Sequence, residues 1–428
     1  FLPWRVLTGS GLSTAWAVWG FVLAGWLFTA MLLLHLIGRY YPQTRWAVAL
    51  AVLLVVGFGN FAAVVLTRAS VYEVSIAAAY AFTSLAWWQL AVALWRPPLQ
   101  RAMPLAAASL AFGLAIASRP SWIVVTPVLL AALWDVRDQW RLSLFRVLST
   151  HAILPVLTCL IALLLLNTLR FDNPLEFGTR YQLMAQRPPS GLFAVEHIPL
   201  SVCMYLLTPP GITDYFPFLL PLPAQDVWGG TRHAEITFGL LPLLPVLWLA
   251  LLSPSALWKT GMRNLVLVLG AAFLAVVTVL SAFHFGVALR YALDLAPLLA
   301  LLAAIGLLQG ETSARRAVLS RWAFRILWMA LLIASLCMTL CAVSSREPAP
   351  RSINSSPIAL WANAAAVLLG WAPDSFVRRL ELDIMLPEDI PPLREEVIVA
   401  TGRSPYHNVL YLRRPDPHHV VVGFHRGD

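Results

Sequence analysis

Apolar residues in this chain come in long runs, separated by short connectors that hold most of the arginines. The runs cover approximately residues 12–38, 47–66, 71–95, 103–117, 122–134, 147–169, 236–252, 264–282, 290–308 and 326–343. Most approach the roughly 20 residues that a helix needs to cross about 30 Å of hydrocarbon. None alternates with period two, which excludes a membrane barrel. The pattern predicts about ten helices, two of them short for a full span. The Pro-flanked pair around "SRPSW" is expected to tilt or to form a re-entrant hairpin.

After Ser344 the period changes. "RLELDIMLP", "EEVIVATG", "NVLYLRR" and "HHVVVGFHR" alternate apolar and polar positions between Pro and Gly, which predicts strands of a half-buried sheet. The expected fold is an all-α polytopic membrane domain over residues 1–343, a linker over 344–378 and a partial β-sandwich-like domain over 379–428. Those strands weakly resemble the start of a laminin-G or lectin-like sandwich. The chain opens "FLPWRVLTGSG", with neither Met nor a signal pattern. It closes "VVVGFHRGD", directly after a strand, where an open edge would be left unpaired. Truncation at both ends is the expectation.

Composition agrees with the pattern. The chain is 59% hydrophobic and only 12% charged, against about 25% charged in soluble domains. The net charge of +9 is not arranged as a basic stripe with interleaved aromatics, so nucleic acid is not an expected partner. Four scattered cysteines are too few for a disulfide framework or a metal site.

Arginines and lysines near helix ends mark cytoplasmic connectors. Here they fall in alternate connectors, at Arg39 and Arg45, Arg96 and Arg101, Arg137 to Arg146, Lys259 and Arg263, and Arg315 to Arg325. The opposite connectors are therefore expected outside, together with the 170–235 loop and the C-terminal domain. Nearly every remaining charge gathers on that outer side.

Four stretches there can carry chemistry. "LTRASVYEVSIAAAYAF" places Arg68 and Glu73 between two apolar runs. Either they form a solvated interfacial pair worth under about 1 kcal/mol, or Glu73 faces a cavity and Arg68 meets an anionic ligand. "LAIASRPSW" holds Arg119 with no acidic neighbour in sequence. Its guanidinium either snorkels to the headgroups or meets a phosphate, whose oxygens match the fork.

"FHFGVALRYALDLAPLL" holds His284, Arg290, Tyr291 and Asp294. Arg290 and Asp294 are one helical turn apart and can neutralise each other, or Asp294 can orient Arg290 towards a lipid phosphate. The long loop opens "NTLRFDNPLEFGTRYQL", with Arg170, Asp172, Glu176 and Arg180 close together. Ordered loops of that length are more often functional than not.

In this order the segments "RASVYEVSIAAAYAF", "GLAIASRPSWIVVTPVLLAAL", "NTLRFDNPLEFGTRYQL" and "RYALDLAPLLALL" resemble GT-C membrane glycosyltransferases. More narrowly, they are similar to bacterial relatives of protein O-mannosyltransferases and lipid A aminoarabinose transferases. The resemblance implies a polytopic enzyme of the bacterial inner membrane with an extracytoplasmic cavity. There a sugar passes from a polyprenyl-phosphate donor to a glycan, lipid or protein acceptor.

It further implies that Glu73 takes the place of the acidic residue of the second outer loop and that Arg119 meets the donor phosphate. Arg290 with Tyr291 matches the family's "RY" ahead of a proline, here Pro297. Arg68, Arg170 and Glu176 complete the expected substrate contacts. The family's catalytic aspartate lies in a first outer loop, which here would fall upstream of Phe1 or be absent, leaving Glu73 as the catalytic candidate.

A divalent cation could bridge phosphate and carboxylate, although no ligand spacing argues for one. Two other readings stand beside the transferase. One is a transporter or flippase of lipid-linked sugars, which needs polar groups along a path open to both faces. The other is a scaffold displaying the β domain, for which one or two helices would suffice.

Overall fold

The computed structural model describes residues 5–6, 8–67, 69–130, 142–178, 181, 193–212, 218–223, 228, 236–258, 261–283, 286–313, 318–346, 395–403, 406–416 and 419–426. The chain divides into two compact units, residues 1–372 and 373–428.

Every predicted apolar run contains helix. The long elements of the first unit are α1 (Thr14–Tyr40), α2 (Trp46–Phe58), α3 (Val71–Trp95), α4 (Ala102–Ser118), α5 (Leu142–Phe171), α6 (Ile198–Leu207), α7 (Arg263–Ala282), α8 (Ala292–Ser313) and α9 (Val318–Arg346). Among the described residues six helices are long and apolar enough to cross a membrane. The chain is thus a multi-pass membrane protein.

Local sequence explains the boundaries. Ser13 caps α1 by accepting from the Trp16 amide, which satisfies one of the orphan donors of the first turn. Arg96 precedes Pro97 and takes an extended conformation that ends α3, because the proline ring disfavours helical geometry in the residue before it.

The two apolar segments Pro120–Leu130 and Pro245–Trp258 are 3₁₀ helices of 11 and 14 residues. A 3₁₀ helix rises about 2.0 Å per residue, so they cover about 22 and 28 Å with fewer residues than an α-helix would use. Their short length in sequence therefore understates their reach. The longer segment runs through Pro254, and both begin at a proline, a residue favoured in the first turn of a helix.

α8 is the centre of this unit. In an 18-residue apolar stretch of its span, 89% of the residues are buried, and it packs along the Pro245–Trp258 helix. Gly306 makes that approach possible, since a Cβ there would collide with the Leu249 carbonyl oxygen. Small residues serve this purpose between membrane helices generally.

Gly306→Leu is expected to lower the thermal midpoint in detergent, by an overpacking cost of about 1–3 kcal/mol or more. Gly270→Leu, at a position with open space around it, is expected to leave the midpoint within about 0.5 kcal/mol of wild type. Equal midpoints for the two variants would remove the close-approach explanation.

Polar side chains tie the remaining helices. The Ser109 hydroxyl of α4 donates to the Ala152 carbonyl at 2.6 Å and accepts from the Val156 amide at 3.0 Å. It thereby sits inside the hydrogen-bond ladder of α5, beside Pro155. Insertion at that point satisfies groups that a proline-bearing helix leaves poorly paired.

The long loop after α5 holds more structure than its punctuation predicts. Helix α6 lies within it, followed by two small antiparallel ladders. Strand β1 (Gly211–Ile212) pairs with β2 (Leu219–Leu220), and β3 (Leu222–Pro223) pairs with β4 (Ile236–Thr237). The Ala194 amide donates to the Ala282 carbonyl at 2.8 Å, which fastens the loop to the end of α7.

In the second unit β5 (Glu395–Arg403), β6 (Tyr406–Asp416) and β7 (His419–Arg426) form an antiparallel meander. Three of the four predicted strands are therefore strands. The fourth, at 379–387, and the predicted linker lie almost wholly outside the described residues. Helix α9 continues to Arg346, slightly past the expected boundary at 343.

Candidate functional site

Arg119 stands at the break between two apolar helices. It precedes Pro120, so it takes an extended backbone (φ −145°, ψ 100°) and ends α4. The side chain leaves the helix axis and turns to α8. One guanidinium nitrogen, Nη2, donates to Asp294 Oδ2 at 2.6 Å. Three residues on, Trp122 Nε1 donates to Asp294 Oδ1 at 3.1 Å. The Asp294 side chain is only 2% exposed and that of Arg119 15%.

This changes two expectations. Arg119 is not an unpaired cation reaching for headgroups, because its counter-ion comes from a residue far along the sequence. Asp294 does not form the expected one-turn pair with Arg290 either. Its two oxygens are engaged by Arg119 and Trp122, and it lies in the first turn of α8, where the helix dipole favours a carboxylate.

Arg290 lies instead beside two aromatic rings, 5.5 Å from the Tyr72 centroid and 5.3 Å from that of Tyr291. Arg119 is 4.4 Å from the same Tyr291 ring. Tyr291 is thus approached by two guanidinium groups, an arrangement stabilised by the ring quadrupole. Tyr72 belongs to the first turn of α3 and precedes Glu73, so this contact brings the start of α3 to the arginine cluster.

Glu73 is 4% exposed. The Ser70 hydroxyl donates to Glu73 Oε2. The two residues have the spacing of a capping box, but here the serine engages the carboxylate directly and makes no side-chain bond to the helix amides. Glu73 is therefore a buried carboxylate held by a hydroxyl and placed next to a residue that touches Arg290.

Two further features belong to the same end of the bundle. Tyr205 of α6, 1% exposed, lies within electrostatic reach of Arg119. Arg119 Nε is buried and has no hydrogen-bond partner among the described residues. A buried guanidinium N–H left without an acceptor is costly, and an anionic oxygen is the group it would best accommodate.

The other expected residues are dispersed or lie elsewhere. Arg170 is exposed at the end of α5 and sits over its neighbour Phe171, whose ring stacks on Tyr181. Its contact is local. Glu176 is buried, 7% exposed, within the loop that follows α5. Arg68, Arg180 and His284 fall outside the described residues.

Among the described residues no group of three or more His, Cys, Asp or Glu side chains is placed to hold a metal ion. Trp122, Tyr72 and Tyr205 were missed by sequence reasoning. Only Trp122 carried a signal there, as the last residue of "RPSW".

The fold and this cluster define a multi-pass membrane protein with partly buried arginines and buried carboxylates at one end of its helices. In comparisons with known proteins the chain matches no family model, no curated protein and no solved structure.

Proposed function

We propose that this chain is a membrane glycosyltransferase that moves a sugar from a polyprenyl-phosphate donor to an acceptor hydroxyl. The reaction would take place at the membrane face that bears Arg119, Arg290 and Glu73. The observation that carries this reading is the arrangement around Tyr291. Two guanidinium groups share one aromatic ring, one of them has a buried N–H without an acceptor among the described residues, and a carboxylate stands at the adjoining helix start.

The chemistry is a single displacement. The acceptor hydroxyl oxygen attacks the anomeric carbon, forming the new glycosidic bond as the bond to the phosphate oxygen breaks. The bonding pair leaves with the phosphate, and the hydroxyl proton passes to the Glu73 carboxylate. Configuration at the anomeric carbon inverts. Arg119 and Arg290 lie where negative charge on the leaving phosphate would be stabilised. Asp294 holds the Arg119 fork in one orientation, so little reorganisation is needed when the charge develops.

The alternation of cationic connectors supports an extracytoplasmic position for this face, and the resemblance supports a bacterial inner membrane. Acceptors of the glycan, lipid or protein class are all compatible with it. A transporter or flippase is less well supported. From Leu295 to Leu308 the central helix α8 offers only Leu, Ala, Pro, Ile and Gly, so this stretch gives a lipid-linked sugar no polar side chain along α8.

The test is donor binding to the purified protein in lipid nanodiscs, using a short-chain polyprenyl-phosphate sugar. Arg290→Gln is expected to weaken binding about tenfold or more, and Arg119→Lys, which keeps the charge but loses the fork, by a similar factor. The lysine variant is chosen because Arg119→Gln would leave Asp294 buried without its counter-ion. Donor binding by both variants at wild-type strength would remove the phosphate assignment.

A further inference from the structure

At the other end of α8 a second carboxylate repeats the motif. Glu311 lies nearly five turns beyond Asp294, about 25 Å along the helix by its rise. Arg325 donates to both Glu311 oxygens, with the shortest contact 2.9 Å from Nη2 to Oε2. Trp328 Nε1 donates to Oε1 at 3.1 Å. The Glu311 side chain is 7% exposed and that of Arg325 16%. An arginine and a tryptophan three residues apart thus bind each end of the central helix, at "RPSW" and at "RILW".

The two ends differ in what surrounds the pair. Beside Glu311 opens a cavity of about 230 Å³, lined by Thr44, Arg45, Thr312, Arg321 and Arg325 among others. Three guanidinium groups against one carboxylate leave this lining with an excess of positive charge. The volume is below the range of about 300–1,000 Å³ that is typical for drug-sized ligands, and suits a small anionic group.

Depth in the membrane identifies the source of that group. Arg45 and Arg321 are each followed by a tryptophan, and both indoles are open, Trp46 at 79% and Trp322 at 58% exposure. Exposed tryptophans beside arginines mark the headgroup layer of a bilayer. Arg45 also precedes the first turn of α2, whose positive dipole end favours an anion.

We propose that this cavity binds the phosphate headgroup of an anionic phospholipid, on the face opposite the transferase site and independently of that activity. The positive-inside pattern makes it the cytoplasmic face. The lipid's phosphate enters between Arg45 and Arg321 while its acyl chains remain among the exposed apolar side chains of α2 and α9. The Glu311–Arg325 pair forms the floor.

The experiment uses the full chain in detergent micelles, titrated separately with phosphatidylglycerol, phosphatidylcholine and inorganic phosphate, with bound species counted by native mass spectrometry. Phosphatidylglycerol is expected to bind about tenfold or more tightly than phosphatidylcholine. The double variant Arg45→Gln/Arg321→Gln is expected to lose about tenfold of that affinity. Thr312→Phe, which fills the cavity without changing its charge, is expected to lose as much.

Neither variant removes Glu311 or Arg325, and folding is checked by the thermal midpoint. Equal binding of the two lipids, or undiminished phosphatidylglycerol binding by either variant, would overturn the proposal. Full displacement of the lipid by millimolar inorganic phosphate would assign the cavity to a free anion and overturn the lipid assignment.

Discussion

Asp294→Asn is expected to destabilise the helical unit by about 3–5 kcal/mol, because it leaves the Arg119 charge buried without a counter-ion. The carboxylate is held by two donors from one turn, Arg119 Nη2 and Trp122 Nε1. An amide can accept from each but cannot balance the charge. Breaking such a pair costs more than the pair contributes, since the surviving ion must be rehydrated or driven to the surface.

The double variant Asp294→Leu/Arg119→Met tests that account. Replacing both ions by apolar groups of similar volume is often neutral or stabilising, so the double variant is expected to recover most of the lost midpoint while losing donor binding. Measured thermal midpoints in detergent decide the matter. A double variant no more stable than Asp294→Asn would show that the site depends on shape and hydrogen bonding rather than on the buried charge. Unchanged stability in the single variant would show that Arg119 finds another anion.

The contrast between these two ends of α8 shows what could be read from sequence and what could not. Apolar runs follow from the length a membrane requires, so the positions of all ten were visible. Strand alternation at 395–402, 408–414 and 418–426 was visible for the same local reason. Partners across the fold were not. Arg119 and Asp294 belong to helices whose adjacency no periodicity reveals, and the nearer candidate partner, Arg290, was the natural choice for a helix-spacing rule.

Glu311 was overlooked for a related reason. It lies in the last turn of α8, where a carboxylate is disfavoured by the helix dipole, among connector residues that read as a simple positive-inside set. Its stabilisation comes from Arg325 and Trp328 on the next helix. The repeated arginine-x-x-tryptophan spacing was the available signal. Likewise, α6 was hidden inside a loop whose prolines and glycines argued for turns, because ten residues are too few to register as a span.

Geometry also sharpens the choice of experiment. Arg119 pairs with a buried aspartate, so removing its charge carries a structural cost, whereas Arg290 lies against two tyrosine rings. Arg170, exposed and engaged with its neighbouring ring, is a weaker candidate for donor contact than its position in the loop suggested.

Glu73→Gln carries the largest expected effect on activity. If Glu73 accepts the acceptor proton, the amide variant loses transfer by about 10²–10⁴-fold in kcat, while donor affinity, which rests on the arginines, stays near wild type. Stability should change little, because Ser70 can donate to the amide oxygen as it does to the carboxylate and the helix start keeps its turn. Glu73→Asp, with the carboxylate withdrawn by one methylene, is expected to retain a fraction of the rate. A structural role would show the reverse pattern, with a lowered thermal midpoint, unaltered kcat in the surviving protein and no distinction between aspartate and glutamine. Full activity in Glu73→Gln would move the base to another carboxylate and leave Glu73 as the buried partner of Ser70.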